Sequence, residues 1–262
     1  MKTEWDYTEL ATAYLKRPDY SDRALDEMLE YTGTHPQHSK ICDVGAGTAH
    51  LTLQLACRGY TNIVAVEPND AMRSLGKQRT KQYPGIKWVE GTGEDTKLSP
   101  SSFDLVTFGS SFNVTNRYLA LNESYRILKP WGYFVCMWNY RDLTDPVQAQ
   151  IEKIIQTTIP DYTYGNRRED QTPIIKNSGF FNRIKKIEGA LIFSQSIEDC
   201  IEAWRSHATL QRQAGNKFPG IIQGIKQILV QNGQDPLLIP YTTTIWIAST
   251  NMYVGQNNAK FP

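Results

Sequence analysis

The chain has 262 residues, 40% of them hydrophobic and 21% charged, enough for one buried core and ordinary for a globular protein. Its 28 basic and 27 acidic residues leave a net charge of +1. Proteins that grip nucleic acid by its phosphates usually carry a clear basic excess, so that partner is not expected. No stretch approaches the roughly 20 apolar residues of a membrane span. The opening MKTEWDYTEL is acidic and aromatic where a secretory signal is basic and then apolar. The expectation is a cytoplasmic protein with no membrane partner. Cys42, Cys57, Cys136 and Cys200 are scattered and form no metal-type pair. Cys42 and Cys136 fall in strand-like runs and read as buried thiols, and no metal is expected.

In chain order, residues 21–32 predict a helix with Ala24, Leu25, Met28 and Leu29 on one face. KICDV (40–44) reads as a buried strand and HLTLQLACRG (50–59) as a helix closed by Gly59. NIVAVE (62–67) is a second strand, followed by a helix in NDAMRSLGKQRTKQY (69–83) capped by Asn69. IKWVEG (86–91) and FDLVTFG (103–109) are further strands. RYLALNESYRILKP (117–130) predicts an amphipathic helix stopped by Pro130, and GYFVCMWN (132–139) a fifth strand. Strands alternating with helices predict a parallel sheet covered on both faces. Beyond residue 140 the pattern loosens. Helices are expected over 145–159, 196–213 and 218–231, and strands over 183–194 and 241–249. The last ten residues or so are polar and read as a loose end.

The stretch ICDVGAGTAHL (41–51) carries the chemistry. Gly45 ends a strand and Gly47 opens toward a helix. Glycine reaches positive φ and leaves no Cβ between backbone and ligand, and a helix amino end presents free N–H groups. Asp43 can fix this loop or meet an ammonium group. Glu67 ends the second strand 22 residues after Gly45 (67 − 45), where nucleotide-binding βαβ units place the acid that takes ribose hydroxyls; the alternative is a strand-end acid that caps the next helix. His50 stands where a dinucleotide fingerprint has glycine or alanine. Its ring is expected in the helix–strand contact, which disfavours a pyrophosphate and so NAD.

DVGAGTAHL with VAVEPNDAM resembles the cofactor signature of class I S-adenosylmethionine-dependent methyltransferases, and more specifically the small-molecule, type 11-like branch. EGTGEDTKLSPSSFDLVTFGSSF resembles that family's third-loop and fourth-strand motifs. LNESYRILKPWGYFV resembles its helix and fifth strand, with Pro130 and Gly132 making the turn. Five motifs occur in order over about residues 38–140. The chain departs from the family at Ala49 and Trp131, where glycine is usual. Alanine is tolerable at negative φ and strained at positive φ.

The resemblance implies an α/β fold: a Rossmann-like, doubly wound sheet of seven strands with the last antiparallel, plus a helical substrate cover. It implies one methyltransferase domain over 1–262, with an amino-terminal helical lid (1–32) and a cofactor core (38–140). Cover insertions with the sixth strand would follow (141–232), then the last strand (241–249). S-adenosyl-L-methionine is the implied cofactor. Asp43, Gly45, Ala46 and Gly47 would line its methionine end and Glu67 would bind the ribose. Pro68 and Met72 would pack near the adenine, whose edge Thr92, Gly93 and Glu94 would read. Gly109 and Ser110 would lie beneath the methyl group. Tyr14 and Arg17 of the lid would close over the sulfonium and the methionine carboxylate.

Methyl transfer is an in-line displacement whose sulfonium leaving group needs no acid. Holding nucleophile and methyl in line can supply roughly 7–11 kcal/mol, against roughly 3–5 kcal/mol from a general base. Positioning outweighs the base, so cofactor motifs are plainer than catalytic ones. His207 is the candidate base or substrate hydrogen-bonder, or else a structural histidine. Asn113, Trp138, Asn139 and Arg141 are candidates for the acceptor pocket. Arg167 and Arg168 either bind an anionic acceptor group or pair with Glu169 and Asp170. With 14 tyrosines and 6 tryptophans the pocket can be aromatic. The expected activity is methylation of a nitrogen or oxygen of a small molecule, such as an amine, phenol or carboxylate, by a monomer or homodimer. The alternatives are an NAD-type oxidoreductase and a non-catalytic S-adenosylmethionine-binding regulatory protein.

Overall fold

Strands that are apolar on both sides must be covered on both faces, and the chain does this with helices placed between them. The computed structural model describes residues 6–251. The first five residues of the expected lid, and the polar carboxyl-terminal tail, lie outside the described residues.

A 3-10 turn (Thr8–Leu10) leads into α1 (Ala11–Tyr14) and α2 (Asp22–Thr32). Then come β1 (Ile41–Val44), α3 (His50–Cys57), β2 (Ile63–Val66), α4 (Asp70–Arg79), β3 (Ile86–Val89) and β4 (Phe103–Gly109). α5 (Arg117–Ile127), β5 (Leu128–Arg141), α6 (Pro146–Thr158), α7 (Thr172–Asn177) and β6 (Phe181–Gln195) follow. α8 (Ile197–Arg205), α9 (Ala208–Ala214), α10 (Phe218–Asn232) and β7 (Leu237–Thr250) complete the described chain.

The sheet runs β3-β2-β1-β4-β5-β7-β6. β1 to β5 are parallel, and β7 pairs antiparallel with both β5 and β6. The expected seven-stranded, Rossmann-like sheet with its antiparallel last strand is therefore present. The strand order reverses at β1 and β4, so a crevice opens at the carboxyl ends of these two strands.

Successive residues of each strand serve opposite faces. Ile41, Ile63, Leu105 and Ile245 pack with Leu25 and Met28 of α2 and Leu51 and Leu55 of α3. Cys42, Val64, Val106 and Trp246 pack on the other side with Ala120 and Leu121 of α5 and Ile175 of α7. A third core belongs to the cover. There Ile151 and Ile155 of α6, Trp204 of α8, Leu210 of α9 and Ile225 and Leu229 of α10 close over Leu237 and Ile239 at the start of β7.

Several elements differ from their sequence expectation. Pro130 does not stop α5. The helix ends at Ile127 and Pro130 lies in β5, where the pairing with β4 shifts register between Phe103 and Leu105. Trp131 occupies this irregularity at φ +69° with 64% of its surface exposed, so the missing glycine is accommodated by turning the indole to solvent. The expected helix over 196–213 is broken at Ser206 and His207 into α8 and α9. The last strand begins at Leu237 rather than 241, because its early residues cap the cover's core. Asn69 caps α4 as expected, its side chain accepting from the Met72 N–H at 3.0 Å.

Candidate functional site

The reversal point is occupied by the glycine loop between β1 and α3. Gly45 (φ +66°) and Gly47 (φ +55°) both take the left-handed region. A Cβ on Gly45 would lie 2.4 Å from Ser111 Cβ, so this glycine lets the loop after β4 approach. A Cβ on Gly47 would meet the Met72 methyl at 3.8 Å and the Gly45 carbonyl oxygen at 3.9 Å, both ordinary contacts. The space in front of Gly47 belongs to the cavity. Ala49, buried at φ +73°, is the cap residue just before α3. The strain expected of an alanine at positive φ is present there.

Asp43 is buried and turned into the fold. Its carboxylate accepts from Thr52 Oγ1 (2.6 Å) and Thr107 Oγ1 (3.0 Å), tying α3 and β4 to β1. Burial raises its pKa to about 6 against the lowering effect of those hydroxyls. Of its two expected roles, fixing the loop is the one its hydrogen bonds show. Glu67 is also buried, and its Oε2 accepts the Gly47 N–H (2.9 Å) while Oε1 accepts the Asn69 N–H (2.8 Å). One side chain thus joins the glycine loop to the cap of α4. Burial lifts its pKa to about 7, opposed by these backbone donors and by Arg73.

His50 is not in the helix–strand contact. Its ring lies 2.8 Å from Asp19 Oδ1 and 3.2 Å from the Tyr14 carbonyl oxygen, facing the amino-terminal segment. The reason is geometric: His50 is the first residue of α3 and points away from the sheet. The steric case drawn from it against a pyrophosphate therefore falls.

The amino-terminal segment crosses the mouth of the crevice. Asn139 Nδ2 donates to the carbonyls of Asp19 (2.9 Å) and Pro18 (3.4 Å), and Gln195 Nε2 to that of Lys16 (2.7 Å). Arg17 donates from Nε to Ser206 Oγ (2.6 Å) and from Nη2 to the Ser206 carbonyl (3.0 Å), joining this segment to the α8–α9 break. Its guanidinium lies 5.2 Å from the centre of the Tyr14 ring.

One continuous cavity is lined by every residue singled out in the sequence: Tyr14, Arg17, Asp43, Gly45, Ala46, Gly47, Glu67, Pro68, Met72, Thr92, Gly93, Glu94, Gly109, Ser110, Asn113, Trp138, Asn139, Arg141, Arg167, Arg168 and His207. Not all are free to bind. Trp138 Nε1 donates to Asn113 Oδ1 (2.9 Å), so the single indole donor is satisfied within the wall. Asn139 is held by the lid carbonyls and accepts from Thr243 Oγ1 (2.5 Å). These groups shape the cavity more than they offer hydrogen bonds to a guest. Arg167 and Arg168 do not pair with their acidic neighbours. Glu169 pairs with Arg117 (3.1 Å), and Asp170 accepts from the Thr172 N–H (3.0 Å) and Trp246 Nε1 (2.9 Å). His207 stacks on Trp204 with ring centroids 4.5 Å apart. Burial and then the charges of Arg17, Arg141 and Arg167 push its pKa well below the usual histidine value, so the ring is neutral at pH 7.

The cavity also holds residues that the sequence reading did not name. Tyr7 and Tyr20 come from the lid, Tyr140 from β5, Trp204 from α8 and Tyr241 from β7. Tyr20 hydroxyl lies 2.9 Å from Ser110 Oγ, above the end of β4. Two of them lay inside the lid segment already read as a cofactor cover. No local signal marks the others, which converge only through the sheet.

A nucleoside fits this donor set: a carboxylate with spare lone pairs at the loop, a glycine face without side chains, and tyrosines across the mouth. Residues 42–136 match a family described as "Methyltransferase domain". Over these residues the chain is similar to class I S-adenosylmethionine-dependent methyltransferases. It is 30% identical over 149 residues to an uncharacterized methyltransferase of Schizosaccharomyces pombe, covering 57% of this chain and 58% of that protein. It is 34% identical over 119 residues to a demethylmenaquinone methyltransferase of Staphylococcus haemolyticus, covering 44% of this chain and 49% of that protein. The chain thus spans about half the length of these curated relatives. A similar fold occurs in a phosphoethanolamine N-methyltransferase of Haemonchus contortus bound to phosphomonomethylethanolamine and S-adenosylhomocysteine. That match has a TM-score of 0.52 and 17% identity, and covers 87% of this chain and 52% of that one. Among the described residues, no helix of the domain is long and apolar enough to cross a membrane, and no cluster of potential metal ligands occurs.

Proposed function

We propose that this chain transfers a methyl group from S-adenosylmethionine to a small molecule seated between the carboxyl ends of β4 and β5 and the helical cover. The observation that carries this is Glu67: its carboxylate binds the Gly47 N–H at the reversal point and faces the cavity. When bound, S-adenosylmethionine supplies an electrophilic methyl group on sulfur. The residues of the chain do the rest by position. Glu67 accepts the ribose hydroxyls beside its two backbone donors. Gly47, Met72 and Pro68 leave a slot for the base, and Thr92, Gly93 and Glu94 border its edge. Tyr14 and Tyr20 present ring faces and hydroxyls near Gly109 and Ser110, where a sulfonium gains from aromatic faces. Arg17 is placed to hold the methionine carboxylate.

The neutral His207 ring keeps a lone pair for an acceptor proton, but its lowered pKa makes it a weak base. Rate enhancement is assigned chiefly to alignment and exclusion of water under the lid. Because several relatives are quinone methyltransferases that methylate carbon by name, the acceptor atom is nitrogen, oxygen or carbon. The NAD reading shares the glycine loop and Glu67, and no other feature of the site favours it. A purely regulatory binder is disfavoured by the continuation of the cavity past Ser110 to His207 and Arg141.

The test is calorimetry with S-adenosylmethionine, S-adenosylhomocysteine and NAD, followed by a screen of amines, phenols, carboxylates and quinols for release of S-adenosylhomocysteine. Preferential NAD binding ends the proposal. Tight cofactor binding with no release for any acceptor class favours the regulator instead.

A further inference from the structure

Four arginines border one cavity, and Arg17, Arg141 and Arg168 lie close enough to Arg167 to act on its charge. Arg17, Arg141, Arg167 and Arg168 all line it. The cavity's three acids, Asp43, Glu67 and Glu94, are at the cofactor end and already accept hydrogen bonds, Glu94 from the Asn116 N–H at 2.6 Å. Among the described residues, neither Arg141 nor Arg167 has a carboxylate within ion-pair distance. Arg141 lies over the Trp204 ring, 3.9 Å from its centre, and reaches only Gln148 Oε1 at 3.4 Å. Arg167 rests 5.1 Å from the Tyr164 ring centre, and its backbone carbonyl accepts from the Tyr140 hydroxyl.

These charges act on one another. Burial lowers the pKa of both arginines, and Arg17 and Arg141 lower that of Arg167 further. Guanidinium groups stay protonated regardless. Like charges gathered away from water are costly; the Glu152 carboxylate acts on Arg141 from beyond ion-pair distance, and a bound anion offsets more of that cost. The cofactor is not that anion. It carries one carboxylate, for which Arg17 suffices, against two cationic groups of its own.

We propose that the acceptor carries a terminal oxyanion, a carboxylate or a phosphate monoester, seated on Arg141 and Arg167. This rests on the methyl-transfer reading and names its substrate class. Arginine forks match both oxyanions by paired, charge-assisted hydrogen bonds. Arg141 lies over Trp204, on which His207 stacks, and is paired across the sheet with Tyr241; Ser110 lines the same cavity.

The experiment is calorimetry on the full chain saturated with S-adenosylhomocysteine, using benzoate, phenyl phosphate and the neutral benzamide as probes. One anion should bind about tenfold or more tightly than benzamide. Which anion leads distinguishes a carboxylate from a phosphate seat. Arg167→Gln and Arg141→Gln should each remove most of that preference while S-adenosylhomocysteine binding stays within about twofold, which also reports an intact fold. Among the described residues, Arg167 makes no side-chain hydrogen bond that its loss would break, so it serves if Arg141→Gln disturbs Trp204. Equal or undetectable binding of all three probes to cofactor-loaded protein overturns the proposal, as does an anion preference that survives both substitutions. Failure of S-adenosylhomocysteine to bind refutes the methyl-transfer reading instead. An arginine-dependent anion preference in its absence would still establish the seat.

Discussion

Glu67 holds together two demands that oppose each other. Two backbone N–H groups, and the ribose hydroxyls of the proposed cofactor, favour an ionised carboxylate, while burial favours the neutral acid and raises the pKa to about 7. At pH 6 only about one side chain in ten is ionised, so affinity for S-adenosylhomocysteine should fall about tenfold between pH 8 and pH 6. Calorimetry across that range checks this, and Glu67→Gln should flatten the profile. Glu67→Ala should weaken binding by more than about tenfold at pH 8; an unchanged dissociation constant would remove its ribose role. Stability runs the opposite way in the free protein. The pKa is raised on folding, so the contribution of neutral Glu67 is complete below about 4.5 and lost as pH rises through about 7.

At the scale of elements, the start of α3 stores strain. Ala49 occupies the left-handed region, which costs an L-residue roughly 1–2 kcal/mol. Ala49→Gly should raise stability by about 0.5–1 kcal/mol after the added flexibility of the unfolded chain is counted. Urea unfolding measures this, and a lower midpoint with unchanged slope would show that the buried methyl outweighs the strain. The break between α8 and α9 has a different cause. Ser206 Oγ donates to the Ala203 carbonyl (2.6 Å), and Arg17 takes the Ser206 carbonyl and hydroxyl. Side-chain bonds of this kind compete with the helix ladder. The periodicity of 196–213 runs through the break because both halves bury apolar residues in one core. The interruption is what turns His207 toward the cavity.

For the whole molecule, the decisive feature is that the cover has its own hydrophobic core and meets the amino-terminal segment above the site. Arg17 spans them. Arg17→Ala should loosen the lid, increasing the S-adenosylhomocysteine dissociation rate about tenfold by loss of charge-assisted hydrogen bonds. Stopped-flow displacement reads the rate, and hydrogen exchange over residues 7–20 should rise in parallel. A rate unchanged while exchange increases would separate the lid from cofactor retention.

Much of this architecture is written in local pattern. The glycines at 45 and 47, the acid at 67 and the strand–helix alternation to residue 140 follow from short-range rules of backbone freedom and burial, so the sheet and the glycine-loop wall of the cavity were legible in the sequence. The seven-stranded order with its antiparallel last strand rested on family resemblance, because strand order is not encoded locally. Tertiary structure alone decided that Asp43 is a tie between strands, that His50 faces the lid, that Glu169 and Asp170 leave Arg167 and Arg168 unpaired, and that Trp204 and Tyr241 share a chamber with Arg141. The physical reason is common to all four. A side chain's partner and its solvent exposure depend on residues tens to hundreds of positions away, and which charges meet a counter-ion is settled only on folding.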